Sequence, residues 1–179
     1  MRVALGDRPL NLIDDNIDMA VRLGKLPDSS MIATRIGSMR SVVCASPRLL
    51  DRTGTPMLPE EMTSRPCLAT EIQTHAAAWS FRITPSERTI DVPIRPRLSG
   101  SAEAVLVGAV RGLGFARLRY YQVFQAGDLQ VVLRTFETEP APVHLIHAAR
   151  GQMPLKMRLF LDFAVPRLRE TLCAIGAAA

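Results

Sequence analysis

The chain has 179 residues, a formal net charge of +5 and 47% hydrophobic residues. This length suits one domain or two small lobes, and no apolar run approaches the roughly 20 residues that a membrane-spanning helix needs. The N-terminus also lacks the charged and then apolar pattern of an export signal. We therefore expect a cytoplasmic globular protein without a membrane segment.

The predicted helices and strands alternate along the chain. Apolar residues at every second position predict strands, and apolar residues three and four apart predict helices. In chain order these elements are a helix opened by Asp7 and Pro9, strands at residues 17–23, 31–36 and 40–45, helices at 47–52 and 58–62, strands at 67–71, 79–83 and 89–97, a helix at 101–111, a strand at 114–118, a helix at 120–125, strands at 129–134 and 143–148, and a long helix from Pro154. Such alternation predicts an α/β fold with a parallel or mixed sheet.

Several element boundaries carry specific signals. Ser46 and Ser101 each stand where a side chain caps the helix that follows. Gly37-Ser38 predicts a turn between two strands. In the last helix we expect Pro166 to kink or interrupt an apolar stripe, which consists of Leu159, Phe160, Phe163, Leu168 and Leu172.

Short motifs follow one another along the chain: D-M-A-V-R-L-G at residues 18–24, L-P-D-S-S at 26–30, V-C-A-S-P at 43–47, G-T-P at 54–56, P-C-L at 66–68, W-S-F at 79–81, G-L-G at 112–114 and P-L-K at 154–156. No single motif is specific. Together, and in this order, they resemble the effector-binding domain of LysR-type transcriptional regulators. The resemblance covers nearly the whole chain.

The resemblance implies an α/β fold of two lobes joined by two crossing strands, similar to a type 2 periplasmic binding protein. Lobe one is expected at residues 1–44 and 146–179, and lobe two at residues 45–145. The implied hinge consists of Val43, Cys44 and Ala45 on the first crossing strand and of Leu145 and Ile146 on the returning strand.

Two departures from the resembled family affect the expected function. The family's helix-turn-helix, its linker helix and the first strand and helix of lobe one are absent before Arg2. Lobe one is therefore expected to be incomplete at its N-terminus, and the chain is not expected to bind DNA directly. The scattered arginines agree, because a DNA reader needs a basic face. The family's usual proline after the G-L-G motif is Arg119 here, which leaves the local turn unpredicted.

Side chains that could perform catalysis or bind a metal ion form no recognisable set. His144 and His147 are three positions apart on a predicted strand, so they point to opposite faces and cannot share a metal ion. Cys44 and Cys67 lie in apolar strands, where cysteine is usually a small core residue. The chain also lacks the nucleophile-elbow, zinc-protease and phosphate-loop motifs. We expect no catalytic residue, no metal ion and no cofactor.

The first candidate binding segment consists of Arg22, Leu23 and Gly24 at the end of a buried strand. The Arg22 guanidinium must reach solvent, a ligand or a carboxylate. A structural ion pair with Asp18 or Asp28 is as compatible with the sequence as a ligand is. The resemblance favours a ligand, because effectors of the family bind between the lobes near the matching position.

The second candidate segment consists of Ser99, Gly100 and Ser101, between a strand and a helix start. Backbone N–H groups and the helix dipole favour an anion at such a position, and Gly100 lets a ligand approach the backbone. An ordinary helix cap is the alternative. The resemblance implies that this segment faces the first one across the effector cleft.

The resemblance implies a small-molecule effector-sensing domain of a LysR-type regulator that lacks the helix-turn-helix DNA reader. Many effectors of the family are small organic acids, which suits an arginine opposite a helix N-terminus. The implied assembly is a weakened homodimer, because the absent helix takes part in pairing. Two alternatives remain: a stand-alone solute-binding protein, which should carry an export signal, and an enzyme, for which a catalytic set is missing.

Overall fold

The computed structural model describes residues 3, 4, 6, 12, 14–27, 31–71, 78–83, 88–148 and 153–177. The chain divides into two compact units. The first unit consists of Arg40–Glu139 and the described residues among 1–8, and the second consists of the described residues of 9–39 and 140–179. The chain therefore passes between the units once between residues 6 and 12, again at residues 39–40 and again at 139–140. The boundaries expected from the sequence are at 44–45 and 145–146.

Strands and helices alternate through most of the described chain, as predicted for an α/β fold. The strands are β1 (Met19–Leu23), β2 (Met31–Met39), β3 (Ser41–Ala45), β4 (Cys67–Thr70), β5 (Ala78–Ile83), β6 (Arg88–Pro93), β7 (Pro96–Gly100), β8 (Phe115–Arg119), β9 (Gln130–Val132) and β10 (Ala141–Ala148). The α-helices are α1 (Pro47–Thr53), α2 (Ala102–Val110), α3 (Tyr120–Ala126) and α4 (Leu155–Ala177), with 3₁₀ turns at Pro59–Thr63 and Arg134–Phe136. The predicted helix opened by Asp7 and Pro9 lies largely outside the described residues. No helix in the described part of the chain is long and apolar enough to cross a membrane.

The first unit is built on a five-stranded mixed sheet in the order β7-β4-β8-β3-β9. β4 is parallel to β7 and to β8, whereas β3 is antiparallel to β8 and to β9. Parallel strands end at the same side of a sheet, so β4, β7 and β8 share one edge, which we call the carboxyl edge. Open α/β sheets bind ligands at this kind of edge.

The second unit contains a three-stranded antiparallel sheet in the order β1-β10-β2. Helix α4 packs on it, with Arg169 Nη2 donating to Arg35 O at 3.1 Å. The turn predicted at Gly37-Ser38 is wrong, because β2 runs through both residues. A Cβ atom at Gly37 would lie 2.9 Å from Leu172 Cδ1. The glycine therefore gives space to the helix and does not form a turn.

The single strand predicted at residues 89–97 is two strands, β6 and β7, with a break at residues 94–95. β6 pairs with β5 in an antiparallel two-stranded sheet, whereas β7 is the outermost strand on one side of the five-stranded sheet. Pro93 and Pro96 are the residues on either side of the break. Proline has no N–H to donate, so it is found at the ends and edges of strands.

The apolar stripe predicted for the last helix is partly wrong. Leu159 and Phe163 are 59% and 57% exposed, and Phe160 is also exposed. The buried and half-buried apolar side chains of α4 instead follow a heptad-like spacing and are Met157, Leu161, Ala164, Val165, Leu168, Leu172 and Ile175. The helix also continues through Pro166, so the interruption allowed for at this proline does not occur.

Both serine caps predicted from the sequence are confirmed. Ser46 Oγ accepts a hydrogen bond from Leu49 N at 3.3 Å, and Ser101 Oγ accepts one from Ala104 N at 3.3 Å. Each hydroxyl satisfies one of the first-turn N–H groups that have no partner within the helix. The two serines are therefore a matched pair with the same local role.

Candidate functional site

The first predicted segment lies at the end of β1 in the second unit. Arg22 and Leu23 are the last residues of this strand, and Gly24 follows with a φ of 101°. Gly24 N donates to Pro142 O at 2.8 Å, which extends the pairing of β1 with β10 by one residue. Arg22 is half-buried and Leu23 is exposed, so the two neighbouring side chains differ in environment.

Arg22 stands in a row of basic residues across the three-stranded sheet. Its Cα partner on β10 is His144, whose partner on β2 is Arg35. Residues directly opposite each other in antiparallel strands share a face and interact. His144 Nδ1 is buried without a hydrogen-bond partner in the described structure. The row therefore places two guanidinium-bearing side chains and an imidazole on one face of the sheet.

The sequence predicted nothing about His144 beyond its unsuitability as a metal ligand. Its position beside Arg22 depends on strand pairing, which short-range sequence patterns do not reveal. His147 is buried and pairs with Met19 at the other end of β1. Within the described residues, no group of three or more His, Cys, Asp and Glu side chains is arranged to hold a metal ion.

The structure describes one of the two carboxylates considered as partners of Arg22. Asp18 lies 3.6 Å from Lys156 Nζ, and both side chains are exposed. Asp28 lies outside the described residues. Ligand binding and a structural ion pair therefore remain the two roles predicted for Arg22.

The second predicted segment lies at the carboxyl edge of the first unit. Ser99 and Gly100 end β7, and Ser101 caps α2. A Cβ atom at Gly100 would approach Ala104 Cβ to 3.3 Å, so the lack of a side chain lets the end of β7 pack closely against the first turn of α2. Glu103 is an exposed carboxylate in the first turn, which opposes a bound anion in part, because like charges repel.

Arg119, where the resembled family usually has a proline, also lies at the carboxyl edge. β8 ends at this residue and α3 begins at the next one, with Tyr120 N donating to Arg40 O at 3.0 Å. Arg119 N donates to Gln122 Oε1 at 3.1 Å, and Arg119 Nη1 donates to Ser41 Oγ at 2.6 Å. The strand thus runs directly into the helix, and the segment that the sequence left unpredicted has no intervening turn.

Arg117 and Arg119 are half-buried on β8. Burial lowers the pKa of the Arg117 guanidinium, and the charge of Arg119 lowers it further. Burial also lowers the pKa of Arg119. Residues two apart on a strand share a face, so these two cations face the same side of the sheet.

A cavity of about 460 Å³ lies beside α3 and β9 in the first unit. No predicted site residue lines it. Its lining combines aromatic and aliphatic side chains with one exposed arginine and comprises Tyr120, Val123, Phe124, Gly127, Leu129, Gln130, Val131 and Arg134.

The residues expected to form the hinge lie in buried strands of different units. Val43, Cys44 and Ala45 belong to β3 in the five-stranded sheet, and Leu145 and Ile146 belong to β10 in the three-stranded sheet. Their role as a hinge stays a prediction. The joint binding of one effector by the two predicted segments also stays a prediction, because each segment belongs to its own unit.

The match to a family model and the matches to curated proteins agree with each other. Residues 1–169 match the family model described as LysR substrate binding domain. The chain is 31% identical over 180 residues to the probable HTH-type transcriptional regulator LtrA of Klebsiella pneumoniae, covering 97% of this chain and 56% of that protein. It is 31% identical over 170 residues to an HTH-type transcriptional regulator of Xanthomonas campestris pv. campestris, covering 92% and 49%. The chain spans about half the length of these curated relatives.

Among solved structures, the chain is similar to the regulatory domain of CrgA, a LysR-type transcriptional regulator from Neisseria meningitidis. The TM-score is 0.77 and the identity 27%, with 91% of this chain and 81% of that chain covered. The full CrgA structure matches with a TM-score of 0.76 and 28% identity, covering 88% of this chain and 54% of that chain. The likeness to the isolated regulatory domain thus extends over most of both chains.

Proposed function

The chain belongs to the LysR substrate-binding domain family, and from this membership we propose that it senses a small organic acid. Its fold is the two-lobed, periplasmic-binding-protein-like α/β fold of LysR regulatory domains. Domains of this family bind small-molecule effectors and often form oligomers, and the regulators that contain them are typically not enzymes. The effector class, the binding residues and the assembly are the parts that we add.

The observation that supports an acidic effector best is the row of Arg22, His144 and Arg35 across the three-stranded sheet. An arginine fork can bind a carboxylate through two parallel charge-assisted hydrogen bonds. A neutral effector cannot accept such charge-assisted bonds, so the two arginines of the row favour an acid.

We assign the effector site to the two segments identified from the sequence. Arg22, Leu23 and Gly24 contribute the cation and the end of β1. Ser99, Gly100 and Ser101 contribute the start of α2, where the helix dipole and the first-turn N–H groups attract an anion. The remaining proposals follow from the family: the chain acts in the cytoplasm, forms a weakened homodimer and performs no catalysis.

The test compares three single variants in isothermal titration with a carboxylic acid that binds the wild-type chain. Arg22→Ala should cost roughly 1.5–3 kcal/mol of binding free energy, because it removes a charge-assisted hydrogen bond. Ser101→Ala should also weaken binding. Ser46→Ala removes an equivalent cap from α1, so it should reduce stability by about 1 kcal/mol and leave binding unchanged.

This design separates a binding role from a structural one. If Ser101→Ala and Ser46→Ala lower stability alike and neither changes affinity, Ser101 is only a cap. If Arg22→Ala lowers stability but binds the acid as tightly as the wild type, Arg22 belongs to a structural ion pair and the site assignment is wrong.

A further inference from the structure

Arg119 is a half-buried cation that has no carboxylate partner among the described residues. Its guanidinium donates to the Ser41 hydroxyl at 2.6 Å, and burial lowers its pKa. A charge taken out of water is costly unless an opposite charge or a full set of hydrogen bonds compensates it. One hydroxyl accepts from one of the five N–H groups of a guanidinium, so most of its donor capacity remains.

Three other arginines of the first unit form ion pairs with glutamate side chains, unlike Arg119. Arg40 donates to both oxygens of Glu137 at 2.7 and 2.9 Å. Arg65 donates to Glu61 at 2.6 Å, and Arg82 to Glu139 at 2.6 Å. The fold therefore provides acids for partly buried arginines elsewhere in the unit. It provides none for Arg119 in the part of the chain that the structure describes.

The position of Arg119 in the sheet points to a ligand. β8 is parallel to β4 and ends at Arg119, and β7 ends at Gly100 on the other side of β4. Neighbouring strands are about 4.8 Å apart, so the ends of β8 and β7 are separated by roughly 10 Å. The Arg119 guanidinium is held against Ser41 on β3, on the side of β8 away from β4 and β7. The ligand, and not the arginine side chain, must therefore span most of the distance to the start of α2.

We propose that Arg119 binds a carboxylate group of the effector at the carboxyl edge and thereby determines its specificity. This inference rests on the proposed function, because it assigns a further residue to the same site. Ser41 is a positioning residue: it is the Cα partner of Arg119 on β3, and its hydroxyl orients the guanidinium. The other donors of the guanidinium then bind the carboxylate.

The experiment is a titration of the ¹⁵N-labelled full chain with succinate at constant ionic strength, with chloride as the compensating anion. The Nε–Hε signal of Arg119, assigned by its loss in Arg119→Gln, reports on the arginine. The amide signals of Gly100 and Ser101 report on the start of α2. We expect saturable shifts of both in the wild type, and a dissociation constant about tenfold higher in Arg119→Gln when read at the amides.

Arg95→Gln is the matched control, since Arg95 is an exposed arginine of the same unit between β6 and β7, and it should bind succinate like the wild type. Ser41→Ala keeps the charge, so it should bind with intermediate affinity and serves as the second variant if Arg119→Gln does not fold. If only the Arg119 signal shifts, the inference holds and the start of α2 is excluded from the site. If the amides shift with equal affinity in Arg119→Gln and the wild type, the inference is overturned while the proposed function stands. No saturable shift at either place would overturn the inference and count against an organic-acid effector.

Discussion

The three cysteines occupy environments that differ in kind. Cys44 and Cys67 are completely buried, and their Sγ atoms lie 3.5 Å from Ala116 O and Met62 O respectively. Burial raises the pKa of both thiols to about 12, so neither forms the reactive thiolate near neutral pH. Cys173 on α4 is exposed.

We expect a colorimetric thiol reagent at pH 8 to modify one cysteine in the native chain and all three in urea. The reactive residue should be Cys173, because the thiolate is the nucleophile and burial suppresses it at the other two sites. Cys173→Ser is the control and should show no fast phase. A fast phase of one equivalent or more in Cys173→Ser would show that Cys44 or Cys67 is accessible.

Single residues were predictable where their role is local. Ser46 and Ser101 act on an N–H three residues away, so the sequence around each serine was sufficient to identify both caps. Arg119 could not be recognised as a site candidate in the same way. Its burial and its bond to Ser41 depend on the pairing of β8 with β3, which lie more than seventy positions apart in the chain. For the same reason His144 was not recognised as the neighbour of Arg22.

At the scale of elements, α4 shows how tertiary packing overrides local signals. The helix carries two apolar stripes, and its sequence alone does not say which one packs on β2. The larger aromatic residues Phe160 and Phe163 favoured the wrong stripe, and the smaller Ala164 is the buried residue of the helix. Gly37 is misleading in a similar way. Glycine is typical of turns, but this glycine lies in β2 and packs against Leu172.

Gly37→Val tests the packing of α4 on β2. The new side chain would begin 2.9 Å from Leu172 Cδ1 and 3.2 Å from Leu172 Cβ, so overpacking should lower the free energy of unfolding by about 1–3 kcal/mol. Urea denaturation followed by circular dichroism measures this loss. The double variant Gly37→Val with Leu172→Ala should recover part of it. A Gly37→Val chain as stable as the wild type would mean that the helix does not pack at this point.

At the scale of the whole molecule, the fold class and the family were predictable and the arrangement of the site was not. The alternation of strands and helices indicated α/β, and the order of the short motifs indicated the LysR effector-binding domain, which the family match over residues 1–169 confirms. The basic row of the second unit and the carboxyl edge of the first arise only when distant strands pair.

We propose that this domain binds a small organic acid through the negative charge of the acid. The most direct test measures thermal stabilisation of the wild-type chain with a panel of small carboxylic acids and, in parallel, with the corresponding neutral amides. A ligand that binds only the folded chain raises its melting temperature in a concentration-dependent way. We predict that at least one acid stabilises the chain and that its amide requires about tenfold more ligand for the same shift. An amide as effective as its acid, or a panel of acids that produces no stabilisation, would contradict the account.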